Sequence, residues 1–258
     1  LVLALARFYH GLPLEEVGRM RNLVFPVVLI MVPVALVMRQ PDLGTAILLL
    51  ATAMAILLLA GVRLWKFAVL FGTILAAIPV AWRFMLHGYQ KDRVLTYLNP
   101  ERDPLGAGYH IMQSKIALGS GGLFGKGFMQ GTQSHLAFLP ERQTDFIFTM
   151  LAEEFGLIGC LGLLSLYILV IAYGYAIALR SQNQFGRLLA AGMITTFFLY
   201  VFINMAMVMG LIPVVGVPLP LVSYGGTSMM SLLIGFGLIL SVYVHRDVTI
   251  ARRPSYGN

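Results

Sequence analysis

The chain has 258 residues, of which 59% are hydrophobic and 11% charged, with a formal net charge of +7. Soluble domains carry roughly 25% charged residues, so this composition excludes a water-soluble globular protein and points to the bilayer. In such a chain the excess of Lys and Arg reports loop orientation rather than nucleic-acid affinity, and no nucleic-acid partner is expected.

In chain order, residues 1–8 are apolar and show neither a charged leading region nor a small-residue cleavage site. They read not as a signal peptide but as the tail of a helix that starts before this sequence does. Six apolar runs follow, at 22–38, 43–62, 64–86, 146–179, 186–211 and 221–244. Each is long enough to cross a bilayer, which takes about 17–25 residues. The first contains Pro26 and Pro33, which predicts a kink. The expected fold is an all-α polytopic membrane protein with about six full transmembrane helices and one partial helix. It forms a single membrane domain over residues 1–258, in which 87–145 is a large extracytoplasmic loop with short or re-entrant helices.

Orientation follows from the short loops. Arg7, Arg19 and Arg21, then Arg63 and Lys66, then Arg180 and Arg187, then Arg246, Arg252 and Arg253 all fall on one side if every span crosses once. The positive-inside rule makes that side the cytoplasm, so the long loop faces outward.

That loop begins with Gly88-Tyr89-Gln90-Lys91-Asp92-Arg93 and Asn99-Pro100-Glu101-Arg102-Asp103-Pro104, which read as charged turns. Residues 111–118, with Gln113 and Lys115, suit a short helix. Gly119, Gly121, Gly122, Gly125, Gly127 and Gly131 come next. Glycine at this density lets backbone N–H groups approach an anion, and equally suits a flexible surface loop. Leu, Phe, Met and Ile among the glycines favour a segment that dips into the bilayer and lines a cavity.

The loop closes on Leu139-Pro140-Glu141-Arg142-Gln143-Thr144-Asp145. A carboxylate at the lip of a membrane span is a candidate functional group. Asp145 also suits the N-cap of the span that follows. A helix N-terminus favours its charged form, burial near lipid the neutral one, and a general base gains from the second effect. Glu153 and Glu154 lie about two turns further in, roughly 80° and 180° around the helix from Asp145. One of them is expected to pack between helices, paired with a loop Lys or Arg, because a buried carboxylate needs a partner; a proton-relay role is the less favoured alternative.

Arg93, Arg102, Lys115, Lys126 and Arg142 make the loop basic. Such cations suit diphosphate or lipid headgroups, and Lys115 and Lys126 stand out for their apolar and glycine neighbours. His10, His87, His110, His135 and His245 have no metal-ligand spacing, so zinc is not expected. Asp42 reads as an N-cap, and Cys160 as a small core residue with no internal disulfide partner. Pro213, Pro218 and Pro220 ahead of Ser223-Tyr224-Gly225-Gly226 break the chain before the last span, and irregular backbone at this depth lines cavities. The methionines Met205, Met207 and Met209 read as packing.

Several stretches together resemble the SEDS family of shape, elongation, division and sporulation proteins. They are Gln40-Pro41-Asp42-Leu43-Gly44-Thr45, Asp103-Pro104-Leu105-Gly106-Ala107-Gly108-Tyr109, Gln113-Ser114-Lys115-Ile116-Ala117, the glycines from Gly119 to Gly127, the run from Leu139 to Phe148, and Pro218-Leu219-Pro220-Leu221-Val222-Ser223-Tyr224-Gly225-Gly226. Gly125-Lys126-Gly127 with Gly131-Thr132-Gln133 is nearer the rod-shape branch than the division branch. The resemblance implies a membrane enzyme of about ten helices, whose first helices and a polar Glu/Lys motif precede this sequence. It implies a glycosyltransferase that polymerises lipid II, an undecaprenyl-linked disaccharide peptide, at the outer face of the bacterial cytoplasmic membrane, and releases undecaprenyl diphosphate. It implies a class B penicillin-binding protein as partner, and it places the family's essential aspartate on Asp145. On this reading Asp145 is the catalytic base, and Lys115, Lys126, Arg93, Gln113, Arg142, Ser223 and Tyr224 bind substrate. A divalent cation, Mg or Mn, would sit with the diphosphate, and its ligands are not readable. The rival readings are a lipid II flippase, which needs no base, and a non-catalytic scaffold for the penicillin-binding protein.

Overall fold

A computed structural model describes residues 1–40, 42–84, 88–99, 107–131 and 143–248. Pro41, His87, Arg102, His135, Arg142, Arg252 and Arg253 lie outside the described residues, as does the 132–142 stretch. The described residues form ten helices. They are α1 (Val2–His10), α2 (Leu14–Val17), α3 (Met20–Arg39), α4 (Leu43–Ala60), α5 (Leu64–Phe84), α6 (Gly88–Leu98), α7 (Ala107–Ser120), α8 (Ile147–Arg180), α9 (Gln184–Val208) and α10 (Gly226–Val244).

The all-α polytopic architecture expected from the apolar runs is present. Helices α3, α4, α8, α9 and α10 are long and apolar enough to cross a membrane. The remaining predicted span forms α5, 21 residues long, whose described apolar stretch is Leu64–Pro79. Large apolar side chains such as Val24, Phe25, Leu36, Leu166 and Ile168 are exposed, which hydrocarbon but not water would accommodate.

Local chemistry explains the ends. Asp42 caps α4 as expected, accepting from the Thr45 N–H at 3.0 Å and the Thr45 hydroxyl at 2.6 Å. Gly61 closes α4 in the left-handed region, φ +102°, with its N–H on the Leu57 and Leu58 carbonyls. Helix α3 runs unbroken through Pro26 and Pro33. Three sequence readings need correction. Residues 88–93 are the start of helix α6 rather than turns, α7 extends beyond 111–118 at both ends, and α10 starts at Gly226 rather than 221. The prolines at 213, 218 and 220 hold the backbone out of a helix up to that glycine.

The chain divides into two compact units. The first comprises Leu1–Val69, Leu169–Leu199 and Met230–Asn258, and the second Leu70–Ile168 and Tyr200–Met229. In the first, Leu5, Ala6 and Tyr9 of α1 are buried, and Gly192 of α9 admits Val2 and Ile56 so closely that a Cβ there would clash. Tyr175 and Thr195 share a hydroxyl hydrogen bond of 2.7 Å, and Lys66 donates to the Gly18 carbonyl.

The second unit is organised by a break in α8. Gly156 has φ 65° and ψ −162°, which interrupts the helix inside an apolar run. An unbroken helix would bond the Leu157 and Ile158 amides to the Glu153 and Glu154 carbonyls. Here the glycine segment that follows α7 takes both sides of that ladder. Leu157 N–H donates to Gly122 O at 2.9 Å and Ile158 N–H to Leu123 O at 3.2 Å, while Lys126 N–H donates to Glu153 O and Gly127 N–H to Glu154 O, each at 3.0 Å. Only glycine allows backbones this close: a Cβ on Gly121 would overlap the Ala152 carbonyl, one on Gly125 the Glu154 carbonyl, and one on Gly156 the Gly125 nitrogen. The glycines therefore serve contact with a broken helix. Neither the anion cradle nor the free surface loop describes residues 121–127.

An ion pair locks this splice. Lys126 Nζ lies 2.7 Å from Glu153 Oε1, with the carboxylate almost fully buried. The expectation that one of the two glutamates meets a loop cation is thus met by Glu153. Removing one member of a buried pair costs about 3–5 kcal/mol, whereas replacing both with apolar groups is often neutral. Lys126→Leu is therefore expected to lower the unfolding stability of the purified full-length protein in detergent by about that amount. Lys126→Leu with Glu153→Leu is expected to recover most of it. Equal losses in the single and double variants would show that the pair does not hold the splice.

Candidate functional site

Asp145 lies in the second unit, in the turn just before α8. Helix α8 starts at Ile147, so the position preceding it belongs to Phe146, whose carbonyl accepts from the Thr149 N–H at 3.0 Å. Asp145 therefore stands one residue ahead of the expected capping position and is half-buried.

Three successive carbonyls of this turn are tied to the chain around 204–224. Tyr224 N–H donates to Gln143 O at 2.9 Å, Ser223 Oγ to Thr144 O at 2.5 Å, and Asn204 Nδ2 to Asp145 O at 2.8 Å. The ties are themselves held. Asn204 Nδ2 also donates to Val217 O at 2.7 Å, Leu219 N–H donates to Ser223 Oγ at 2.7 Å, and the Tyr167 hydroxyl donates to Pro220 O at 2.6 Å. Gly216, φ +69°, passes so near the acid that a Cβ there would sit 3.3 Å from Asp145 Oδ2. The irregular 209–225 backbone thus positions the carboxylate.

Helix α7 covers the other flank. Ser114 Oγ donates to Val208 O at 2.8 Å and lies 2.9 Å from Thr149 Oγ1. Thr149 is one turn beyond Asp145, so this buried contact seats α7 beside the acid. The His110 ring lies 6.4 Å from the Phe146 ring, centre to centre. His110 Nδ1, Gln113 Oε1 and Asn204 Oδ1 are buried atoms with no hydrogen-bond partner among the described residues. Buried polar atoms are usually satisfied, so this group around the turn leaves hydrogen-bonding capacity for a ligand or water. Lys115 is exposed, with its stem lying over Gly210 and no acidic partner among the described residues.

The residues singled out from sequence fare differently. Gln113 and Lys115 lie on α7, the helix that Ser114 seats against Thr149, one turn beyond Asp145. Lys126 is committed to Glu153. Ser223 is buried against backbone, where it positions the acid's turn, and Tyr224 is exposed and uses its N–H. Arg93 lies on α6. Cys160 is half-buried and lines a cleft rather than the core. Sequence reasoning passed over Asn204 and Gly216 and weighed His110 only as a metal ligand. Asn204 had a usable signal, a lone amide inside an apolar run, because polar groups at that depth are costly. Among the described residues no three His, Cys, Asp or Glu side chains converge to hold a metal ion.

These features define a multi-pass helical membrane protein with a carboxylate fixed at the mouth of one span. The chain belongs to the FtsW, RodA and SpoVE family of cell cycle proteins, whose family model matches residues 1–248, in agreement with the resemblance read from its motifs. It is 54% identical over 229 residues to peptidoglycan glycosyltransferase MrdB of Escherichia coli K12, an alignment covering 89% of this chain and 62% of that protein. It is 40% identical over 231 residues to MrdB of Helicobacter pylori strain 26695, covering 89% and 59%. The chain thus spans about three-fifths of the length of these relatives. Among solved structures it resembles a chain of a peptidoglycan synthase complex that coordinates polymerization and crosslinking, with TM-score 0.81 and 33% identity over 95% of this chain and 67% of that one. It also resembles the rod shape determining protein RodA of Thermus thermophilus, with TM-score 0.64 and 29% identity over 96% and 64%.

The amide of Asn204 is fully buried, so its loss strands two carbonyls. Asn204→Leu is expected to destabilise the full-length protein by about 1–3 kcal/mol in detergent unfolding. Unchanged stability would show that the amide does not tie the Asp145 turn.

Proposed function

We propose that this chain forms the catalytic part of a peptidoglycan glycosyltransferase that polymerises lipid II into glycan strands during cell elongation. The observation that carries this reading is the tethering of Asp145. Three hydrogen bonds to consecutive carbonyls fix its turn, with Gly216 admitting the carboxylate closely. Such fixation suits a general base, which works only within hydrogen-bond reach of the proton it takes. The names of the similar glycosyltransferases agree with it.

Asp145 removes the proton from the acceptor sugar hydroxyl. The oxygen attacks the anomeric carbon of the donor, and undecaprenyl diphosphate leaves from the opposite face. One base and no carboxylate nucleophile gives inversion, as in single-displacement glycosyl transfer. Lys115, with no acidic partner among the described residues, takes the departing diphosphate, and positive charge placed where negative charge develops is often the largest catalytic contribution. Gln113 and His110 offer hydrogen bonds to the sugars from the same helix. Arg93 and Arg142 remain candidate diphosphate contacts, while Lys126 spends its charge on Glu153. A divalent cation, Mg or Mn, carried by the diphosphate stays part of this proposal and would help neutralise the leaving group; among the described residues no three His, Cys, Asp or Glu side chains converge to hold it.

The protein would work in the bacterial cytoplasmic membrane with Asp145 facing outward, which the Lys and Arg clusters of the short loops support. A class B penicillin-binding protein is the proposed partner, supported by the similarity to a chain of a synthase complex. Asp145→Asn keeps shape and backbone ties while removing the base. It is expected to slow polymerisation of purified lipid II by the full-length protein about 10²–10⁴-fold, read on gels of glycan product. A normal rate would sink the base assignment. Movement of lipid II between leaflets with no polymer from the unaltered protein would identify a flippase instead.

A further inference from the structure

Two short turns meet at one end of the first unit. Helix α3 begins at Met20, just after α2 and Gly18, while α4 closes on Gly61 and α5 opens at Leu64. Helix α3 packs against α4. Lys66 Nζ donates to the Gly18 carbonyl and lies 3.8 Å from Met20 Sδ, which fastens one turn to the other. A Cβ on Gly18 would sit 4.0 Å from Arg63 Cγ, so the Arg63 stem passes the same glycine.

The juncture gathers charge. Arg19 and Arg21 come from one turn, Arg63 and Lys66 from the other; Lys66 is half-buried and the three arginines are exposed. Of the four, Arg19 alone has an acidic partner among the described residues, Glu16 at 2.7 Å. Glu15, the other acid of this turn, is exposed. Lys66 spends one of its three N–H donors on a neutral carbonyl, which leaves its charge uncompensated. Apolar groups stand beside these cations. Met20, Leu64 and Trp65 are 69%, 71% and 54% exposed, and Lys66 Nζ lies 5.8 Å from the centre of the Trp65 ring. Helix α3 has 20 residues and is about 30 Å long, the thickness of the hydrocarbon core. Met20 therefore stands at the edge of that core and the cations at headgroup level, where tryptophan is also favoured.

We propose that this juncture is a binding site for an anionic phospholipid, whose phosphate is held by Arg21, Arg63 and Lys66 and whose acyl chains lie along Met20, Leu64 and Trp65. Cations without carboxylates call for an anion, and the planar fork of arginine matches a phosphate. Exposed apolar side chains beside them call for an anion that carries hydrocarbon rather than a soluble one. The positive-inside rule assigns this end to the cytoplasm, the leaflet face on which basic clusters at a span's end meet anionic lipid. The lipid bridges the two turns and so holds the ends of α3, α4 and α5 together. The site lies in the first unit, whereas Asp145 lies in the second, and the assignment does not depend on the glycosyltransferase reading. Arg180 and Arg187, exposed on the same side around the turn from α8 to α9, supply a comparison of equal charge.

The test is native mass spectrometry of the delipidated full-length protein in detergent, titrated with phosphatidylglycerol or with phosphatidylcholine. Phosphatidylglycerol is expected to bind more tightly and to survive a large excess of inorganic phosphate. Arg21→Gln with Arg63→Gln is expected to weaken it about thirtyfold, from the usual contribution of a basic residue near anionic lipid. Arg180→Gln with Arg187→Gln, an equal loss of charge on the same side, is expected to leave it unchanged. A second readout needs no charge variant and so survives a failure of the double variant to fold. Tryptophan fluorescence of the unaltered protein is expected to be quenched by brominated phosphatidylglycerol more than by brominated phosphatidylcholine, and Trp65→Phe is expected to remove that difference. Equal binding of the two lipids, displacement by inorganic phosphate, equal losses in the two double variants, or quenching that persists without Trp65 would each overturn the proposal.

Discussion

Hydrocarbon offers no hydrogen bonds, so a helix interrupted within it must find partners for the groups it releases. The break at Gly156 releases the Glu153 and Glu154 carbonyls and the Leu157 and Ile158 amides, and residues 122–127 satisfy all four. That exchange determines much else in the second unit. It requires glycine at 121, 125 and 156, where a Cβ would overlap backbone. It carries the segment after α7 onto α8 and so sets one wall of the cleft. It also brings Lys126 to the buried carboxylate of Glu153.

The acid is held by different means. Asp145 sits ahead of α8, outside the regular ladder, and its turn depends on a chain that is irregular for a reason. Pro213, Pro218 and Pro220 cannot continue a helix, and the freed segment folds back to offer Ser223 and Tyr224 to the turn, with Asn204 bonding both Val217 and Asp145. The site is therefore a junction of two irregular segments braced by side chains from regular helices. Such an arrangement puts functional groups on short stretches while the spans bear the packing.

The spans were legible because hydropathy and length decide them almost alone, and Asp42 was legible because a cap is a local device. The pairing of a buried glutamate with a loop cation was legible too, since a carboxylate that stays charged at that depth needs a partner. The break was not. Gly156 stands in an apolar run with Gly159, Gly162 and Gly174, and nothing in composition separates it from them. What distinguishes it is contact with Gly125 and Leu123, some thirty residues earlier. Ser223 was found for the wrong task, because sequence shows a hydroxyl near a break and not which carbonyl it will meet. Residues 88–93 misled because charge and a leading glycine look like a turn, although Gln90, Lys91 and Arg93 are good helix formers.

Lys115 and Lys126 show most clearly where sequence stops. Both are basic residues among apolar and glycine neighbours, and nothing local ranks one above the other. Tertiary structure separates them by giving Lys126 a buried carboxylate and Lys115 none among the described residues. A cation already neutralised contributes little to an incoming anion, and any ligand would have to compete with a 2.7 Å ion pair. An exposed cation with no acidic partner among the described residues has its attraction still to give. The same glutamate that secures the splice therefore sorts the loop's charges, assigning one lysine to the fold and leaving the other for the anion.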